Sequence, residues 1–287
     1  DNVRNIVLLG DPALELAYPK YEITTTAISG SPAGVMKTDT IYGMSEITVS
    51  GHIQDEDGNI VTDFDGNLYP KVFDKSSTIH MLVNDPRSRP GEFTVQADEL
   101  FNGNVSVVQG EFTFSFFVPK DISLSFGKGR ISYYAMDSVI DASGYYEDFV
   151  IGGTGENSTE DDQGPLIRLF LNDSTFINGT WVSSQPVLIA ELSDESGINA
   201  LGNGIGHDIV ATLDTDSEGA IVLNDHFVYK RDSYQEGDIR YTMPVIPKGA
   251  HQLTLKAWDL LNNSSVVSID FFVSDSIDLK IQNALNY

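Results

Sequence analysis

Apolar and polar residues alternate with a period of two along most of this chain, the pattern of half-buried strands. In Phe112-Thr113-Phe114-Ser115-Phe116 three aromatics share one face. In Gln252-Leu253-Thr254-Leu255-Lys256-Ala257 the apolar side chains again fall on alternate positions, and Ile269, Phe271 and Val273 do so in the last such run. Residues 47–53, 131–135, 166–171, 187–192, 209–213 and 239–243 read the same way. No window keeps a 3.6-residue apolar stripe. The best helical stretch is residues 11–16, with Pro12 early, and it predicts one or two turns at most. Asp57-Gly58-Asn59, Asp65-Gly66-Asn67, Asn102-Gly103-Asn104 and Asn178-Gly179 predict hairpin-type turns, because Gly and Asn tolerate positive φ. Many short strands about ten residues apart predict an all-β chain of two tandem, Ig-like β-sandwich modules.

Composition places the boundaries. Residues 154–165 are almost free of apolar side chains and read as a linker. It separates a first module over 34–153 from a second over 166–276. The Ser29-Gly30-Ser31-Pro32-Ala33-Gly34 stretch marks an earlier boundary. Residues 1–33 then read as the tail of an upstream domain and its connection, and 277–287 as the start of a further one.

With 287 residues, two domains each have enough chain to bury a core. The 41% hydrophobic and 21% charged content is that of a folded globular chain. No apolar run nears the ~20 residues of a membrane-spanning helix, and no signal peptide is visible. Acidic residues number 42 against 17 basic ones, a net charge of −25. Such a surface repels a phosphate backbone and excludes nucleic acid as a partner; cations and basic partners suit it. The chain has no cysteine. Disulfides, thiolate metal sites and a cysteine nucleophile are therefore absent from it.

Candidate chemistry is sparse. His207-Asp208 pairs imidazole with carboxylate, but neighbours on a strand point to opposite faces, and Gly204 and Gly206 favour a bulge or tight turn. His52, His80, His226 and His251 stand singly, without metal-ligand spacing. Asp55-Glu56-Asp57-Gly58-Asn59 has alternating oxygen donors but lacks the sixth-position Gly and terminal Glu of a calcium loop, so it reads as a turn. The better metal candidate is composite. Asp161 and Asp162 lie in the linker, Asp194 and Glu195 in one loop, Asp259, Asn262 and Asn263 in another. Sandwich loops cluster at the ends of the fold, so these oxygens can converge between modules. Asp161, Asp162, Asp194, Asp259 and Asn262 are the expected ligands, and calcium is the expected ion. Trp258 reads as core or partly buried and Trp181 as exposed.

Several blocks of the chain carry a family resemblance. Leu8-Leu9-Gly10-Asp11-Pro12-Ala13-Leu14, followed by Leu16-Ala17-Tyr18-Pro19, resembles the end of the catalytic domain in gingipain-like cysteine peptidases, specifically the C-terminal signal peptidase or sortase of the type IX secretion system. Ser50-Gly51-His52-Ile53, Val72-Phe73-Asp74-Lys75, Phe117-Val118-Pro119-Lys120-Asp121-Ile122 and Ile131-Ser132-Tyr133-Tyr134-Ala135 are similar to that family's first β region. Leu188-Ile189-Ala190-Glu191-Leu192-Ser193-Asp194-Glu195-Ser196-Gly197-Ile198-Asn199, Gly204-Ile205-Gly206-His207-Asp208 and Leu255-Lys256-Ala257-Trp258-Asp259 resemble the second. Glu15 stands where the family has a basic residue. The resemblance implies a parent that removes C-terminal sorting signals from secreted cargo and attaches the cargo to surface lipopolysaccharide. Its catalytic Cys and His precede Asp1, so none of its catalytic residues falls on this chain. What remains is a non-catalytic scaffold at the cell surface or outer membrane of a Gram-negative bacterium. Its implied partners are the upstream peptidase domain, an outer-membrane β-barrel and other members of the attachment complex. Residues 279–287 look like the entry to a terminal Ig-like domain. A cell-surface adhesion or carbohydrate-binding module pair is the alternative, and an exposed row of aromatics is what would favour it.

Overall fold

The computed structural model describes residues 18–29, 31–33, 39–85, 87, 89–155, 161–202, 204–214 and 219–274. The 11–16 helical stretch and residues 277–287 lie outside them. Among the described residues, fourteen strands precede the linker. The first seven are β1 (Tyr21–Ile28), β2 (Ser31–Pro32), β3 (Asp39–Gly43), β4 (Glu46–Gln54), β5 (Gly66–Phe73), β6 (Ser77–His80) and β7 (Glu92–Val95). The next are β8 (Glu99–Asn102), β9 (Val105–Val107), β10 (Glu111–Phe117), β11 (Gly127–Lys128), β12 (Arg130–Met136), β13 (Asp141–Tyr146) and β14 (Phe149–Thr154). After the linker come β15 (Leu166–Leu171), β16 (Trp181–Val182), β17 (Val187–Ser193), β18 (Val210–Leu213) and β19 (Ile221–Val222). β20 (Phe227–Tyr229), β21 (Glu236–Thr242), β22 (Gly249–Trp258) and β23 (Ser264–Val273) complete the set. The all-β expectation holds, and the alternating runs are strands.

A nine-stranded sheet dominates the first half: β10-β4-β1-β13-β12-β5-β8 in order, with β2 paired to β1 and β9 to β5; a small β11-β14-β3 sheet accompanies it. Phe112, Phe114 and Phe116 are all buried, as their alternation requires, and Phe101 stacks on Phe114 and Phe116 at 5.8 and 5.7 Å. The second half has a four-stranded sheet, β15-β17-β21-β20, and a five-stranded one, β16-β23-β22-β18-β19. Leu188, Ala190 and Leu192 of β17 and Leu253, Leu255 and Ala257 of β22 belong to one buried cluster between them.

Two expectations from the sequence need correction. The boundary at residue 33 does not follow the sheets. β1 lies inside the large sheet, antiparallel to β4 and parallel to β13, with Tyr21 opposite Ala142. Ile23 and Ile28 are buried in the first core, so this strand belongs to the first half and not to a preceding domain. Local alternation cannot reveal this, because it records burial and not the partner. The expected turn at Asp65-Gly66-Asn67 is instead the start of β5. Gly66 is required by proximity: a Cβ there would fall 2.3 Å from the Met136 carbonyl oxygen.

β6 and β7 pair only with each other. Ile79, Phe93 and the adjoining Met81, Leu82 and Val83 are exposed, giving an apolar arm outside both cores.

Candidate functional site at the junction of the two halves

The halves share buried surface. Tyr234, Leu260 and Leu261 come from the second half by sequence but pack in the first half's core cluster. Phe101 meets Tyr229 at 5.7 Å. The 118–122 segment docks through the Lys120 amide, which donates to the Leu260 carbonyl at 2.9 Å. Asp121 then takes two contacts from the second half. Its Oδ1 accepts from Asn262 Nδ2 at 2.7 Å, and its Oδ2 lies 2.9 Å from His207 Nδ1. That second contact is close but falls short of hydrogen-bond alignment, and Nδ1 is buried without a hydrogen-bond partner. The ring also packs on Trp258, with centroids 4.3 Å apart. His207 is thus a junction residue, paired with Asp121 and not with its neighbour Asp208.

Beside this contact three carboxylates converge. Oxygens of Asp161, Asp194 and Asp259 all lie within 4.8 Å of one another. Each is placed by its own turn. Asp194 Oδ1 accepts from the Ser196 amide at 2.8 Å and its hydroxyl at 2.6 Å, in a loop that Gly197 completes at φ 95°. Asp259 is fully buried. Its Oδ1 accepts from the amides of Leu261 and Asn263 at 2.9 and 2.7 Å, and its Oδ2 from Asn263 Nδ2 at 2.7 Å. Asn263 Nδ2 also donates to the Asp161 carbonyl at 2.9 Å, which ties the linker end to β23. Gly164 continues that seam: a Cβ there would sit 2.4 Å from the Ser264 carbonyl carbon.

Charge is held there at a cost. Burial pushes Asp194 up to about 6, against the two bonds from Ser196, and Asp259 and Asp161 add to the rise. Burial likewise raises Asp259, opposed by its bonds from Asn263 and Leu261. A hard divalent cation would relieve both the desolvation and the mutual repulsion.

The expected ligands are not all gathered. Asp161, Asp194 and Asp259 meet, whereas Asp162 is exposed and Asn262 turns to Asp121. The Asp55 loop is a turn: Asp55 Oδ1 accepts from the amides of Asp57 and Asn59. Trp181 is 59% exposed and Trp258 half-buried. Sequence reasoning missed Asp121 as a junction residue, since nothing in its flanks marks a partner 141 positions away.

No family model matches the chain, and no curated protein matches it. Among solved structures, the crystal structure of dimeric latent PorU from Porphyromonas gingivalis is 30% identical over 94% of this chain, with a TM-score of 0.59. The chain resembles part of PorU. It spans 25% of that PorU chain. Fibronectin(III)-like modules of Clostridium thermocellum CbhA match at 9% identity over 92% of this chain and 99% of theirs, with a TM-score of 0.25, too low to show a common fold. Salmonella α2-macroglobulin mutant Y1175G (13%, 92% and 17%, TM-score 0.28) does no more. Neither carries an argument about function.

Proposed function

We propose that this chain is a non-catalytic scaffold and interaction region of a cell-surface, sortase-type cysteine peptidase of the type IX secretion system. The observation that carries this reading is the 30% identity to PorU across 94% of the chain. The missing cysteine agrees with chemistry residing elsewhere in the parent. The halves are locked by a shared core, which suits a spacer that holds an upstream peptidase domain at a set distance from an outer-membrane partner. The exposed apolar arm of β6 and β7 suits contact with another polypeptide. The test compares the full-length parent with a version lacking residues 35–275, scoring cargo cleavage and surface-complex assembly separately. Loss of assembly or of correct cargo processing supports the scaffold role. Unimpaired cleavage and assembly overturns it.

The same reading includes calcium at the junction, on Asp161, Asp194 and Asp259. Carboxylates from the linker and two loops meet within 4.8 Å, and calcium takes about 6–8 oxygens, so carbonyls and water would complete the shell.

A further inference from the structure

Two sheets end at one cleft. β8 closes one side of the nine-stranded sheet and β20 one side of the four-stranded sheet, and each pairs on one flank only. Asn102, Gly103 and Asn104 at the end of β8, and Phe227, Val228 and Tyr229 of β20, line the same hollow of about 550 Å³ between the halves. In an antiparallel pair, alternate residues give both backbone groups to the partner strand, and the residues between turn theirs the other way. The Lys230 amide donates to the Glu236 carbonyl at 2.9 Å. Val228, two residues back and opposite Asp238, therefore exchanges its bonds with β21, and Tyr229 turns its N–H and C=O to the open flank. On β8 the Gly103 amide donates to the Pro70 carbonyl at 3.2 Å, so the backbone groups of Asn102 likewise face away from β5. The walls favour positive charge. Lys71 lines the cleft too, but it is tied to Glu99 at 3.0 Å, which leaves Asp225 as the surplus charge. Asn104 Oδ1 is buried without a hydrogen-bond partner, an acceptor that calls for a donor. Asp238 is exposed, on the same outward face as Val228.

We infer that this cleft receives an extended segment of a partner polypeptide, added as a strand beside β20 and carrying a lysine or arginine. An open strand flank is a template for another chain, because its unpaired N–H and C=O groups supply main-chain bonds. The incoming backbone pairs with the Tyr229 groups on one side and lies against those of Asn102 on the other. Alternate side chains of the segment then fall on the outward face, where Val228 is 65% exposed and offers apolar contact. The basic side chain answers Asp225 and the unpaired Asn104 Oδ1. Other occupants fit worse. A second copy of this chain carries the same net charge of −25 and is repelled, as is any acidic segment. A small neutral ligand leaves the two strand flanks without main-chain partners. The inference rests on the interaction role proposed above. It is tested on this chain alone, so its failure is distinguishable from failure of the deletion experiment in the parent.

The probe is a blocked hexapeptide that alternates valine with threonine and carries one lysine, titrated into the 287-residue chain by calorimetry and fluorescence anisotropy. Matched peptides replace the lysine with glutamate, or carry backbone N-methyl groups along one edge or the other. The lysine peptide is expected to bind about tenfold or more tightly than its glutamate counterpart. N-methylation along the edge that faces β20 should weaken it by about tenfold, since it removes main-chain donors and keeps every side chain. Asp225→Lys should abolish the preference for lysine. Glu56→Lys, the same charge change on an exposed residue of the Asp55 turn, should leave it in place. Thermal melts verify folding of each variant. No binding of the lysine peptide, undiminished binding of both N-methylated peptides, or an equal loss in Asp225→Lys and Glu56→Lys overturns the inference.

Discussion

Asp232 clamps Ser106 across the junction with both carboxylate oxygens. Oδ1 accepts from the Ser106 amide at 2.6 Å and Oδ2 from its hydroxyl at 2.7 Å, while the Asp232 amide donates to the Asn104 carbonyl at 2.9 Å. Asp232 does this from a left-handed backbone conformation, at φ 60°. Asp232→Gly keeps the turn but removes both side-chain bonds. It should cost about 1 kcal/mol, because bonds to a charged acceptor count for more than neutral ones but these are solvent-exposed. Asp232→Ala should cost more, since it adds strain at positive φ. Paired thermal melts measure the difference, and equal stabilities for the two variants would remove the backbone argument.

The shared core predicts that damage in the second half is felt in the first. Leu260 and Leu261 are each 5% exposed within the first cluster. Leu261→Ala should destabilise by about 2–4 kcal/mol, as buried leucine truncations do. Hydrogen exchange should show lost protection in the first half's strands as well as around residue 261. Lost protection confined to the second half would contradict a common core.

The acidic cluster predicts a pH-dependent calcium effect. Folding raises Asp194 from 3.8 to about 6, so between those values the folded chain holds more protons than the unfolded one. Stability without metal should therefore fall as pH rises through about 4 to 6 and level off above. Calcium binds the ionised form, so its stabilising effect should be small near about pH 5 and grow toward about pH 7. Asp194→Asn should flatten the metal-free profile and abolish the calcium response. An unchanged melt in calcium and in chelator at neutral pH would leave these aspartates as turn formers.

His207 contacts Asp121 and Trp258 instead of a nucleophile. The purified chain should not cleave a sorting-signal peptide. His207→Ala should lower the melting temperature through lost junction packing without altering any proteolysis seen. Cleavage that His207→Ala abolishes would show that a site exists here.

Much of the fold was legible residue by residue. The alternation in Phe112–Phe116 and Leu253–Ala257 set which side chains are buried, because a strand's two faces repeat every second residue. The same pattern put three tyrosines on the outward phase of neighbouring strands. Tyr69, Tyr134 and Tyr145 occupy the polar phase of their strands, where large apolar rings need an explanation, but their adjacency was hidden. Residues 69 and 134 are opposite only because β5 and β12 pair, and no local pattern encodes that pairing.

Sequence alone determined an acidic, cysteine-free, all-β chain, its strand phases and its turn at Gly58, since these depend on side-chain chemistry and near neighbours. Tertiary structure alone decided the rest. It placed β1 in the middle of the large sheet and moved Leu260 and Leu261 into the first core. It also separated adjacent asparagines, sending Asn262 to Asp121 and Asn263 to Asp259. Asn262 sits at φ 73°, and that one left-handed residue turns the two side chains to different partners. Asn263 bonds Asp259 within its own turn, four positions away, whereas Asn262 meets Asp121 across 141 positions and Asn263 reaches the Asp161 carbonyl across 102. Those distant contacts are selected by the free energy of packing and not by local propensity.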